Sequence, residues 1–65
     1  MKRYAIVIAY RYHNDPDDVS FAHSFCYASG EDYAYDSIEL LDLENKLLEA
    51  GHQLLNSYVL EVPNE

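Results

Sequence analysis

The stretch that decides the fold is RYAIVIAYRY, residues 3–12. Its centre is an unbroken apolar run from Ala5 to Ala9 that is rich in β-branched side chains, and such a run is typical of a strand covered on both faces. Side chains alternate between the two faces of a strand, so the even positions form a face of large residues and the odd positions a face of small ones. We predict a strand at the centre of a sheet.

A second strand is predicted at residues 19–28, after the turn-forming segment HNDPDD at residues 13–18. Asp-Pro-Asp suits a type I turn in which Pro16 sets the φ angle. Residues 19–28 also alternate between large and small side chains. We therefore expect an antiparallel hairpin in which the large faces of the two strands lie on the same side of the sheet.

A single helix is predicted at residues 37–50. Asp36 stands three residues before Glu39, which is the spacing of a capping box, and Gly51 follows the last periodic residue as a C-terminal stop. Residues 29–35, which precede the helix, show no clean period and are predicted to form a loop.

A third strand is predicted at Gln53–Val62, ending before Pro63. A helix that runs back over the sheet would place this strand antiparallel to the first, with the most apolar strand in the centre. We therefore predict an α+β fold for a single domain, residues 1–65. It is a three-stranded antiparallel sheet with element order β-β-α-β and spatial order 2-1-3, and one helix packs on a face.

The predicted helix carries more apolar surface than one sheet contact requires. Leu40, Leu43 and Leu47 form one stripe along it, and Leu41 and Leu48 form a second. A second buried contact would follow. We predict a homodimer interface that includes Leu41 and Leu48, or an interface with a partner. Either interface would use the second stripe or the uncovered face of the sheet. The alternative is that both stripes of the helix are buried in the core of a single chain.

Composition limits how this chain reaches stability. A domain of 65 residues buries only about 60% of the surface that its unfolded chain exposes. Its single cysteine, Cys26, forms no internal disulfide, and no Cys or His spacing suits zinc, which leaves oligomerisation as the stabilising device. No apolar run has the length of a membrane span, and no leader pattern is visible, so we expect a soluble cytoplasmic protein.

The formal net charge is −8, and it is unevenly distributed. Lys2, Arg3 and Arg11 lie in the first twelve residues, which contain no acid, whereas all twelve Asp and Glu residues follow them with Lys46 alone. A protein with this excess of carboxylates repels the phosphates of nucleic acids. It is steered towards basic surfaces, including the nucleic-acid-binding faces of other proteins. Direct binding of nucleic acid is not expected. The alternative is that acidity only keeps a small protein soluble.

Two groups of side chains resemble catalytic or metal sites. On a strand, His23 would point to one face and Ser24 and Cys26 to the other, so no nucleophile and base pair forms. The acidic turn at residues 13–18 lacks the obligate glycine and the closing glutamate of a calcium loop. We therefore expect no enzymatic activity, no bound metal and no other cofactor.

Partner binding is predicted for an acidic surface that carries tyrosines. Tyrosine offers amphipathic contact area at low entropic cost, and carboxylates beside it can meet Arg and Lys side chains of a basic partner. Carboxylates of the turn and of the loop at residues 29–35 would together resemble a track of phosphates. The predicted partner-binding residues are Asp15, Asp17, Asp18, Glu31, Asp32, Tyr33, Tyr35 and Asp36. The alternative is a pair of solvated acidic loops.

The leading functional prediction is a non-enzymatic protein that binds a basic, nucleic-acid-handling protein and blocks or regulates it. In size, acidity and lack of a catalytic motif, the chain resembles the small phage-encoded inhibitors of bacterial defence, such as anti-CRISPR proteins. The resemblance implies occupation of a nucleic-acid-binding site on the partner, and it assigns no residue. Two alternatives are a sponge for a nucleotide signal between protomers, using Arg3, Arg11 and tyrosine stacking, and a purely structural oligomerisation module.

Overall fold

The computed structural model describes residues 1–63. Its elements are β1 (Lys2–Arg11), a 3-10 turn (Tyr12–Asn14), β2 (Ser20–Ala28), α1 (Glu31–Tyr35), α2 (Ile38–Glu49) and β3 (Gln53–Val62). The strands form one antiparallel sheet in the order β2-β1-β3. The predicted α+β class and strand order are confirmed, and the bounds of β3 are those predicted.

The core lies between one face of the sheet and the two helices. Ile6 and Ile8 of β1 are fully buried there, and Leu40 and Leu47 of α2 are mostly buried. Burying an aliphatic side chain of this size stabilises the fold by about 1.5–3 kcal/mol. The helices cover only this face of β1, so one chain by itself does not provide the predicted cover on both faces of the strand.

Within the hairpin, β1 directs its large side chains towards the helices and β2 directs its small ones. The register pairs Tyr4 with Cys26 and Ile8 with Ala22, and residues paired across strands point to the same face. The small side chains of β2, including buried Ala28, therefore lie beside the large side chains of β1. The predicted alignment of the two large faces is wrong. The helices approach β2 closely, while β1 fills the centre of the core.

Part of the predicted loop at residues 29–35 is the short helix α1. Ala34 is fully buried, and the backbone N–H of Val59 donates a hydrogen bond of 3.2 Å to the Tyr35 hydroxyl. One helical turn gives too little local stabilisation to form alone. Tertiary contacts of these residues thus stabilise α1, and periodicity does not reveal such contacts.

The N-cap of α2 lies one residue after Asp36, the N-cap that the predicted capping box implies. Its N-cap is Ser37, whose hydroxyl accepts a hydrogen bond of 3.2 Å from the backbone N–H of Leu40. Asp36 is instead the C-cap of α1, so the predicted capping box of Asp36 with Glu39 is wrong. The predicted C-terminal stop is confirmed, because Gly51 follows α2 with a φ of 85°.

Candidate interaction surfaces

The acidic side chains lie on one side of the sheet and at the hairpin turn. We call the side covered by α1 and α2 the helical side, and the opposite sheet face the open face. The helices and their caps carry Glu31, Asp32, Asp36, Glu39, Asp42, Glu44 and Glu49, and the turn carries Asp15, Asp17 and Asp18. Glu61 pairs with Tyr4 in the register and so belongs to the helical side. Within residues 1–63, no carboxylate belongs to the open face.

The open face carries a trough between two rows of large side chains. Ala5, Val7 and Ala9 of β1 form its floor, because odd positions of β1 point away from the helices. The rows are formed by Phe21, Phe25 and Tyr27 of β2 and by Tyr58 and Leu60 of β3, which are between 43% and 64% exposed. An apolar surface of this kind is unusual for a monomer.

Arg3 and Arg11 both belong to the open face but lie far apart on it. The Arg3 guanidinium carbon stands 4.3 Å from the centroid of the Phe25 ring, which is a cation–π distance. The two arginines are eight positions apart on one strand, a span of about 26 Å. One small ligand therefore contacts both arginines only if the second one comes from another chain.

The outer side of α2 exposes an aliphatic stripe among carboxylates. Leu41 and Leu48 are 57% and 54% exposed, and Ile38 is more exposed still. The alternative that both stripes are buried in the core of one chain is therefore wrong, since only the stripe of Leu40, Leu43 and Leu47 packs on the core. Lys46 forms an ion pair of 3.1 Å with Asp42 on α2.

The predicted partner-binding residues fall into two separate groups. Those of α1 and its cap are exposed at the end of the sheet where Ala28 pairs with Lys2. The turn lies at the other end, beyond the pair of Ser20 with Tyr10, about 26 Å away along the strands. The expected continuous track of carboxylates is therefore not formed. The residues concerned are Asp15, Asp17 and Asp18 in the turn, and Glu31, Asp32, Tyr33, Tyr35 and Asp36 at α1.

Two of the turn carboxylates hold the turn itself. Asp18 Oδ2 accepts hydrogen bonds from the Tyr12 backbone N–H at 3.0 Å and from the Ser20 hydroxyl at 2.9 Å. Asp15 Oδ1 accepts one from the Asp17 backbone N–H at 3.0 Å. These bonds reduce the freedom of Asp15 and Asp18 to pair with a partner, so the α1 group offers the freer carboxylates.

The structure also shows a histidine pair that the sequence did not indicate. The His13 backbone N–H donates a hydrogen bond of 3.1 Å to His52 Nδ1. The His52 ring also stacks near those of Tyr10 and Tyr12, with centroid distances of 5.0 and 4.7 Å. His13 and His52 are 39 positions apart in the chain, and they meet only because β3 starts beside the end of β1. The pair joins the turn to the start of β3.

The residues considered for catalysis and metal binding do not converge. His23 is exposed on the open face, whereas Cys26 is buried against the helices, as predicted from their alternation. Within residues 1–63, no group of three or more His, Cys, Asp or Glu side chains is arranged to hold a metal ion. In the same range, neither helix has the length and apolar character needed to cross a membrane.

The chain was compared with known proteins in three ways. A scan of protein families, a search of curated proteins and a search of solved structures each found no match.

Proposed function

We propose that the protein is a non-enzymatic binding protein whose helical side docks on a basic surface of a protein partner and blocks or regulates it. The observation that carries the proposal is the division of charge. The helical side combines carboxylates with exposed apolar side chains, and the open face within residues 1–63 carries no carboxylate.

The helical side has the composition expected of an interface. Ile38, Leu41 and Leu48 supply apolar contact area, and exposed Tyr33 supplies an amphipathic ring. Carboxylates around these side chains can pair with Arg and Lys of a partner, which speeds association and selects basic surfaces. Basic protein surfaces that bind phosphates are natural targets, because carboxylates take the place of the phosphates. We propose that this occurs in the cytoplasm, where a single thiol such as Cys26 stays reduced.

The test compares two variants that remove the same charge from different places. Glu31→Gln with Asp32→Asn neutralises α1, and Asp15→Asn with Asp17→Asn, in the turn outside the helical side, is the matched control. We expect the tagged wild-type protein to retain a nucleic-acid-binding protein from a bacterial lysate at low salt and to lose it at high salt. The affinity of the purified pair should fall about tenfold for the α1 variant and much less for the control.

Thermal unfolding shows whether both variants remain folded, since all four side chains are exposed. Equal affinity of the two variants would contradict a local binding site and would leave only an effect of net charge. A wild-type protein that retains no partner at any salt concentration would favour the structural oligomerisation module.

A second candidate function is a sponge for a nucleotide signal. A groove of about 330 Å³ lies beside Lys2, Arg3 and Val62, and its volume is that of a small-molecule site. Lys2 is engaged there by Glu61 at 3.6 Å, which leaves Arg3 as the principal phosphate ligand. ATP and a cyclic dinucleotide are suitable probes, and binding should raise the melting temperature. Arg3→Ala with Arg11→Ala should abolish the rise, and an unchanged wild-type melting temperature with both probes would exclude this candidate.

A further inference from the structure

We infer that the open face is the contact surface between two copies of this chain, which pack sheet against sheet around a twofold axis. The inference concerns the side opposite the proposed partner surface and does not depend on the identity of the partner. Four observations lead to it: the area of the face, its charge, its shape and the small size of the core.

The exposed apolar area is close to what a dimer requires. Five large side chains of the open face, Phe21, Phe25, Tyr27, Tyr58 and Leu60, are each between 43% and 64% exposed. They leave on the order of 500 Å² accessible, given the usual area of such side chains. A stable interface buries about 800 Å² on each partner, and the floor of the trough with Arg3, His23 and Val62 supplies the remainder.

Charge argues against a basic partner on this face and against a dimer that forms through α2. A basic partner would find no carboxylate on the open face within residues 1–63 and would meet Arg3 and Arg11. Contact between two copies through α2 would instead bring the carboxylates around Leu41 and Leu48 close to one another, which is unfavourable. We therefore assign dimerisation to the open face and place Leu41 and Leu48 in the partner surface.

The shape of the open face suits contact with itself. The floor of Ala5, Val7 and Ala9 is low, and the neighbouring row formed by Phe21 and Phe25 stands above it. In a twofold interface the same surface is used by both copies, so it has to be complementary to itself. The aromatic row of each copy can enter the trough of the other at the usual separation of packed sheets, about 10 Å.

The core of one chain is small. Among residues 1–63, the largest fully buried side chains are only those of Ile6, Ile8 and Cys26. A chain of this size without a disulfide commonly gains stability by association. Burial of the open face would give β1 a second covered face, which matches the continuous apolar run at its centre.

The experiment compares matched pairs of charged substitutions at exposed positions. Phe21→Glu with Leu60→Glu places two carboxylates on the open face, and Leu41→Glu with Leu48→Glu places two on α2. We expect light scattering to give twice the chain mass for the wild-type protein and for the α2 variant, and the mass of one chain for the open-face variant. Circular dichroism should show that the monomer retains its secondary structure.

A second measurement decides the matter if the open-face variant fails to fold. Isotope-filtered NMR on a mixture of labelled and unlabelled wild-type chains should give contacts between the Phe21 and Phe25 rings of one chain and the Val7 methyl groups of the other. Contacts between α2 helices of different chains would overturn the inference. So would a wild-type monomer, including one whose open-face signals shift when a single-stranded oligonucleotide stacks on the aromatic rings.

Discussion

The Tyr35 hydroxyl accepts a hydrogen bond of 3.2 Å from the backbone N–H of Val59. Val59 belongs to β3, which is an edge strand of the sheet, and the unpaired backbone groups of an edge strand can pair with other chains. The bond therefore joins α1 to this edge and satisfies one of its donors. It also shows that Tyr35, although placed in the predicted binding surface, has a structural role.

Tyr35→Phe should lower the free energy of unfolding by about 1 kcal/mol, because the partly buried N–H of Val59 loses its acceptor. Tyr33→Phe is the matched control, since Tyr33 is exposed on the same helix and should unfold like the wild-type protein. Urea unfolding measured by circular dichroism checks both variants. Equal losses for the two would mean that the hydrogen bond contributes nothing.

Ser37→Ala should lower the free energy of unfolding by about 1 kcal/mol, because α2 loses the side chain that caps the N–H of Leu40. Asp36→Ala, one residue earlier, should cost less, since Asp36 does not cap α2. The same urea titrations measure the difference. A larger loss for Asp36→Ala would show that the capping box predicted from the sequence operates in solution.

Gly51→Ala should lower the melting temperature, since Gly51 has a φ of 85° and a side chain there costs about 1 kcal/mol. Space is not the obstacle, because a Cβ atom would stand 3.5 Å from His13 Nδ1. Gly30, the N-cap of α1, has an extended φ of −166°, so Gly30→Ala is the control and should lower the melting temperature less, through the N-cap preference alone. Calorimetry measures both variants, and similar shifts would contradict a conformational origin.

The sequence predicted the order of the strands, the helix α2 and the strand β3 because each has a local signal. The apolar run of β1 marks the centre of the sheet, the leucine period marks α2, and Gly51 marks its end. The sequence does not determine the N-terminal boundary of α2, since Asp36 and Ser37 are both good capping residues. Only the fold places Ser37 at the helix and Asp36 at the end of α1.

The candidate surfaces were predicted only in part. The acidic and tyrosine residues were identifiable from their types, and the leucine stripes from their spacing. Their grouping was not, because it depends on which end of the sheet each segment reaches. The turn and α1 lie at opposite ends of β2. His13 and His52 are in contact because the end of β1 lies beside the start of β3.

The sequence by itself determined which residues alternate along β1 and β2, because a strand always directs successive side chains to opposite faces. The relation between the two alternations was decided by the tertiary structure. A change of one residue in register exchanges the two faces of a strand. Large and small side chains alternate along β1 and β2 in either register, so the alternation alone does not select one. The observed register brings the small side chains of β2 under the helices and leaves Phe21, Phe25 and Tyr27 on the open face. These aromatic side chains are exposed because the helices cover the opposite face of the sheet.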